Sequence, residues 1–527
     1  MKPSTIHYPL STFFCLLLLL AGCPKADSDS NSKPAELPLK GVALRLTVVD
    51  DSALAAAVVR VKGEWNAQTG SELEVVKTTE EDLLRAKELP GDAVLCPSHL
   101  LGVLAEREWI APVPKPILRN PEWAGVFDLL KLRETVWGNQ TMAVPFGSPV
   151  LCCYYRADLL EKLGRRPPKT WSEYQALAKL LAANSPYERW TAEPAPPTWS
   201  GTIEPLAPGW AGLTLLARAA PYAKHRDNYS ALFDIKTMEP LVAGPPFVQA
   251  LEELVAAAKF GPADPLRYDP ASARAAFWNG QCGMALTWPT AAEKGRGERG
   301  EGRGKERDKE TRRQGDAASE ALSQSPPLPL SLSPGLPVSP SPLSPLRVGF
   351  IELPGSRRVF NLGSRVWDRR ADDEDARVPL LSISGRLGVV GKKSANTAAA
   401  FRLLLWLSGS QMSPQTSAAS PATTLFRQSN LKSPGQWVEK PVSATAAVQY
   451  ADAIEAALSR EQWLGALRLP GRAEYLAALD DAVAAAIHGD KSPIDALLDA
   501  DAKWQKITER LGLERQRAAY RHSLGLE

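Results

Sequence analysis

The feature that most constrains this chain is the alternation of two periods over residues 42–110. GVALRLTVVD is an apolar run of period two, SALAAAVVRVKGEWNAQTG is helical and stops at Gly70, and SELEVVKT is extended again. EEDLLRAKEL then reads as a helix, GDAVLCPS as a strand and HLLGVLAEREW as another helix. Strands separated by helices of this length predict a parallel sheet with crossover helices, since a tight turn cannot return a chain parallel to itself. Ligands of such sheets sit beyond the carboxyl ends of the strands. Asp50-Asp51-Ser52 and Pro97-Ser98-His99 fall at two such ends and are expected to face a cleft.

At 527 residues the chain is too long for one ordinary domain, so two lobes or more are expected. Its net charge of +3 is too small to argue for nucleic acid or an anionic membrane as the main partner. Lys2 precedes a ten-residue apolar run, 13–22, shorter than the roughly 20 residues a bilayer span needs but of signal-peptide length. The run ends in Leu20-Ala21-Gly22-Cys23, which resembles the lipobox of bacterial lipoproteins; in that family the cysteine is lipidated and becomes the mature N-terminus. An ordinary signal peptide that happens to carry a cysteine is the other reading. The Ser-, Asp-, Lys- and Pro-rich residues that follow predict a flexible tether over 23–40.

Four cysteines remain beyond Cys15 and Cys23: Cys96, Cys152, Cys153 and Cys282. Cys152 and Cys153 are neighbours in a strand and point to opposite faces, so they cannot serve one site. With no CxxC and no histidine at metal-ligand spacing, they read as small buried hydrophobes, and one disulfide stays open in an oxidising compartment. No metal site and no cofactor is expected.

The stretch VPFGSPVLCCYYRADLLEKLGRRPPKTWSEY, 144–174, packs several signals together. Pro145, Gly147 and Pro149 bound an apolar strand that ends in Tyr154-Tyr155-Arg156. A short helix from about Asp158 stops at Gly164, and Pro167-Pro168 fix an extended approach. Thr170 with Glu173 then forms a T-x-x-E capping box for a helix through Leu181. Helices are expected near 211–223, 247–258 and 271–279, with a strand at GMALTWP. RVGFIELPG and RLGVVGKKS read as strands, and NTAAAFRLLLWLSGS as an amphipathic helix. A helix ending at Gly489 and another from Ser492-Pro493 to Gly512 make a helical C-terminus.

Between these parts the composition changes. KGRGERGEGRGKERDKETRRQG, 294–315, and the Pro-rich 325–346 cannot bury enough apolar surface to order themselves. An RNA-binding arginine-glycine tract is the competing reading of the first part. Interleaved acidic residues and the absence of aromatics argue instead for a solvated insertion.

The chain lacks a GxSxG elbow, an HExxH pair, a Walker sequence and a strand-borne GxGxxG. The acidic run 372–375 lacks the spacing and glycine of a calcium loop. No catalytic residue is assigned.

Together the segments 144–174, GDAVLCPSHLLGVLAEREWIAPV, GKKSANTAAAFRLLLWLSGS and LPGRAEYLAALDDAVAAAIHGDKSPIDALLDADAKW resemble extracellular solute-binding proteins of ABC importers, carbohydrate-binding (maltose-binding-like) group. The resemblance implies an α/β two-lobe periplasmic-binding-protein type II fold with a ligand cleft between lobes and a helical C-terminus. In its terms, lobe 1 spans 41–147 and 347–435, and lobe 2 spans 148–291 and 436–527. The signal peptide is 1–22 and the insertion 292–346. Phe146, Gly147 and Pro149 would form the hinge. The implied ligand is a carbohydrate, and the implied partners are ABC permease subunits in the membrane. The chain would be a non-enzymatic monomer, lipid-anchored at Cys23 on the extracytoplasmic side.

A sugar presents apolar ring faces and many hydroxyls, so its site wants flat aromatics with polar groups at the edge. Trp288 stands where the family often places a stacking aromatic, with Trp210 and Tyr475 as further candidates. Asp51, Ser98, His99 and Ser148 are candidate hydroxyl partners, and Arg386 and Arg472 could close over the ligand. Trp406 and Trp504 are expected in the core. The alternatives are a lipoprotein enzyme acting on glycans, which would need two carboxylates about 5–10 Å apart, and a sensory protein for another solute.

Overall fold

The computed structural model describes residues 37–183, 187–188, 195–291 and 346–527. The expected signal peptide with Cys23, most of the tether and nearly all of the expected insertion lie outside the described residues.

The first sheet grows from β1 (Ala43–Val49), β2 (Glu72–Thr78) and β3 (Ala93–Pro97). Between the first two, α1 (Ser52–Thr69) starts where the Asp51 carboxylate accepts the Leu54 N–H and stops at Gly70, whose φ of 76° suits the left-handed cap. It lays Leu54, Val58, Val61 and Trp65 on the sheet. Between β2 and β3 comes α2 (Glu80–Arg85), and α3 (Leu101–Glu106) follows β3. Two single-turn helices, α4 (Lys115–Leu118) and α5 (Pro121–Ala124), lead to the hairpin β4 (Val136–Trp137) and β5 (Gln140–Thr141), then to β6 (Val144–Pro145).

The chain then leaves this sheet. β7 (Cys152–Arg156), β8 (Ser200–Ile203), β9 (Cys282–Thr287) and β10 (Val348–Glu352) form a second one, in the order β10-β7-β9-β8. Its helices are α6 (Ala157–Lys162), α7 (Trp171–Ala182), α8 (Ala211–Ala223), α9 (Pro245–Ala258) and α10 (Pro270–Trp278). At α7 the Thr170 hydroxyl caps the Glu173 N–H, but the Glu173 carboxylate returns to the Lys169 N–H, one residue earlier than in a capping box. A hairpin, β11 (Arg358–Asn361) and β12 (Val366–Arg369), and the short β13 (Leu380–Leu381) follow β10.

β14 (Arg386–Val390) brings the chain back, and the first sheet reads β2-β1-β3-β14-β6. β1 runs parallel to β2 and β3, as expected, while β14 is antiparallel to both neighbours, so the sheet is mixed. One expected boundary needs correction. β10 pairs antiparallel with β7 over five residues, so the return to the first lobe comes at β14 and not at residue 347. Alternation of apolar residues predicts a strand but does not say which sheet takes it.

After α11 (Thr397–Leu407) on the first lobe, α12 (Ala444–Leu458) packs on β10 in the second. The two-residue β15 (Leu464–Gly465) pairs with β13. The helix pair α13 (Arg472–His488) and α14 (Pro493–Leu511) then packs against α8. Beyond Gly512 a further helix, α15 (Leu513–Ser523), reaches α3 and β4 of the first lobe, so 436–527 does not lie wholly on the second.

The lobes are joined where crossings lie side by side. Residues 146–151 link β6 to β7, 382–385 link β13 to β14, and the segment after α11 passes Thr424 on its way to α12. The Thr424 hydroxyl donates to the Ser148 carbonyl at 2.7 Å. Gly147, with φ of 108°, lets its backbone pass so close that an added Cβ would stand 2.8 Å from the Thr424 oxygen.

Candidate functional site at the junction of the lobes

The first lobe contributes the carboxyl ends of its strands. Asp51, directly after β1, uses Oδ1 to cap α1 and Oδ2 to accept from Arg386 Nε at 2.8 Å and from the Ser420 hydroxyl at 2.5 Å. Arg386 opens β14 and spends its other nitrogens on the carbonyls of Ser384 and Asp50. Both side chains are buried, so this is a charge-assisted pair in a low-dielectric setting. Asp50, held at φ of 46°, turns its carboxylate to the Glu80 N–H.

Glu80 and His99 form the exposed side of this group, 3.0 Å apart. The hydrogen bond from His99 holds the Glu80 carboxyl below its ordinary range, and burial holds the His99 imidazole below its own. His99 Nδ1 and the Ser98 hydroxyl are buried without a hydrogen-bond partner. The charge of Arg472, at the start of α13, bears on both Glu80 and His99. Its guanidinium donates to the Ile383 carbonyl, and burial lowers its pKa to about 10, so it stays cationic at neutral pH.

The second lobe contributes Trp210, just before α8, and Trp288, just after β9. Their ring centres are 5.5 Å apart with planes tilted by 44°. Trp288 Nε1 donates to the Pro421 carbonyl, and Ser420 next to it holds Asp51. The loop at Ser420–Pro421 therefore ties the aromatic pair of one lobe to the carboxylate of the other. Asp480 of α13 accepts the N–H groups of Gly209 and Gly212, which fixes the approach to Trp210.

Three candidates sit deeper than expected, among them Trp288, which is 5 % exposed and packs in the core. Ser148 is fully buried, its hydroxyl given to Glu134, whose carboxyl is raised by burial and partly offset by that bond and by Arg468. Ser98 is equally buried. Tyr475 must be corrected outright. It is 0 % exposed, packs edge-on against Phe233 and Trp504, and gives its hydroxyl to Thr508, so it belongs to the core of the α13–α14 pair. Trp504 is core as expected, whereas Trp406 is only partly buried and tilts against Trp65. Glu80, Glu134, Ser420 and Pro421 went unmarked in the sequence. The position of Glu80 just past β2 was a usable signal; Ser420 and Pro421 carry none.

All four described cysteines are buried free thiols, and burial pushes Cys96 up to about 12. Among the described residues no group of three or more potential ligands could hold a metal ion.

Two lobes, each built on its own sheet and joined by adjacent crossings, define a two-lobe periplasmic-binding-protein type II fold. The family model of bacterial extracellular solute-binding proteins matches residues 63–318. The match covers just under half of the chain and, with the fold, makes it similar to that family. Among solved structures it is similar to an ABC transporter solute-binding protein from Agrobacterium radiobacter K84 in complex with ribitol, at 17% identity and a TM-score of 0.58, over 89% of this chain and 100% of that one. The maltose-bound MalE3 of T. maritima matches at 16% identity and 0.58, over 88% and 100%. The sugar-binding protein MalE of Xanthomonas citri matches at 15% and 0.61, over 89% and 98%. At such identities the likeness establishes the fold. Among curated proteins none matches the chain.

Proposed function

We propose that this chain is a receptor, lipid-anchored at Cys23 outside the cytoplasm, that captures a sugar or polyol between its lobes and delivers it to an ABC importer. The observation that carries the reading is the Trp210–Trp288 pair beside the Asp51–Arg386 and Glu80–His99 groups. A half-buried Trp210 backed by the buried Trp288, with charge-assisted hydrogen-bonding groups on the facing lobe, suits a polyhydroxylated solute. The bound ribitol and maltose of the two structural relatives point the same way. The clustered crossings at Gly147, Ser148 and Thr424 suit a hinge that closes the lobes on the solute. The anchor is assigned to the lipobox Leu20-Ala21-Gly22-Cys23 on its sequence alone.

The test is thermal melting and tryptophan fluorescence against a panel of monosaccharides, oligosaccharides, polyols and polyamines. A solute at 100 times its Kd should add about 2.7 kcal/mol to the folded state. A saturable shift with one sugar or polyol, and no product formed, is the expected result. A response to polyamines alone, or turnover of a glycoside, would reject the ligand class.

A further inference from the structure

A cavity of about 300 Å³ lies away from the Asp51–Arg386 and Trp210–Trp288 groups. Besides the tail, three parts of the chain line it: Arg133 from the segment before β4 of the first lobe, Lys224 and Arg226 from the end of α8 in the second, and Glu461 and Trp463 from the approach to α13. The tail at Tyr520–Leu524 closes it.

Its charges are out of balance. Lys224 Nζ donates to the carbonyls of Asn228 and Tyr229, at 3.3 and 3.0 Å, which leaves one of its three N–H groups unused. Arg133 lies over the Trp463 ring at 5.7 Å. Among the described residues neither Lys224, Arg133 nor Arg226 forms an ion pair, although Glu461 and Asp227 stand on the rim. Asp227 lies instead beside His225, at 3.5 Å. Burial, together with the neighbouring Arg133 charge, lowers Lys224 to about 8. Arg468 also lines the cavity, and three of its five N–H groups go to the carbonyls of Glu134, Val136 and Ser523.

A desolvated ammonium that faces a guanidinium is unfavourable unless an anion comes between them. The two cations come from different lobes and line one cavity, so their repulsion works against the contact between the lobes there. We propose that this cavity binds a small oxyanion, held between the guanidinium of Arg133 and the ammonium of Lys224, at a site separate from the solute cleft. The planar fork of Arg133 suits two oxygens of a phosphate, sulfate or carboxylate, and the spare N–H of Lys224 suits a third contact. The bound anion turns a repulsive contact between lobes into a bridge, and it holds the lobes together whether or not the cleft takes a sugar.

The experiment uses the full chain in detergent, with sodium sulfate, sodium phosphate and sodium malonate each titrated against sodium chloride of matched ionic strength. Melting temperature and tryptophan fluorescence are the readouts. The expected result is a saturable rise in melting temperature with at least one of the three anions, and none with chloride. Which anions act separates a tetrahedral oxyanion from a carboxylate. Lys224→Met and Arg133→Gln should each weaken the response at least tenfold; Arg133 is exposed, so its variant keeps the test open if the lysine variant does not fold. A linear response equal to that of chloride would overturn the proposal, as would a saturable response unchanged in Arg133→Gln. Because the probes are inorganic or simple carboxylate anions, failure here leaves the sugar-receptor reading untouched.

Discussion

Asp51 shows how one side chain can serve helix, sheet and cleft together. It caps α1, neutralises Arg386 at the head of β14 and takes the Ser420 hydroxyl from the connecting loop. Loss of its charge leaves Arg386 buried and unpaired, so Asp51→Asn should destabilise the protein by about 3–5 kcal/mol in urea denaturation. Restoring neutrality with Arg386→Met in the same chain should recover part of that loss. Trp210 is half-buried against Trp288, so Trp210→Ala should cost about 1–2 kcal/mol of stability and weaken solute binding about tenfold, roughly 1.4 kcal/mol by calorimetry. His99 sets a pH dependence. Its native pKa is depressed from 6.5 by burial, so below that value the unfolded chain binds a proton the native chain resists, and stability falls with acidification. Glu80, also depressed, adds a loss of the same sign below 4.5. A stability–pH profile should therefore be flatter between pH 6.5 and 5 for His99→Asn than for the parent.

At the scale of elements, helices that carry their own punctuation were legible. Gly70 ends α1 and Ser492-Pro493 open α14 as the residues require, because a cap is a local interaction. Partners across the sheet were not. β10 reads as a strand from RVGFIE, yet its pairing with β7 depends on contacts almost 200 residues away in sequence. Tyr475 failed for a related reason: its place in α13 was visible, but not the face that Phe233 and Trp504 would cover. The crossing at 146–151 was legible from its prolines and glycine, and Gly147 is where its geometry can be tested. Gly147→Ala must place a methyl against Thr424 at a positive φ. It should cost about 1 kcal/mol or more by thermal denaturation and change the affinity for solute through the equilibrium between open and closed lobes.

For the whole molecule, the candidate cleft was half legible. Asp51, His99, Arg386, Arg472, Trp210 and Trp288 do converge at the lobe junction, because strand ends and family-like positions are encoded locally. The loop that joins them, Ser420–Pro421, has no motif and becomes visible only once both lobes are in place. Closure of two lobes on one solute is a property of the whole chain and calls for a measurement on the whole chain. Isothermal titration calorimetry against maltose, longer glucans, ribitol and mannitol, run in parallel on the parent and on Trp210→Ala, tests it most directly. The account predicts one-to-one saturable binding of at least one sugar or polyol, weakened about tenfold in the variant. Absence of binding to every sugar and polyol, or binding indifferent to Trp210, would contradict it.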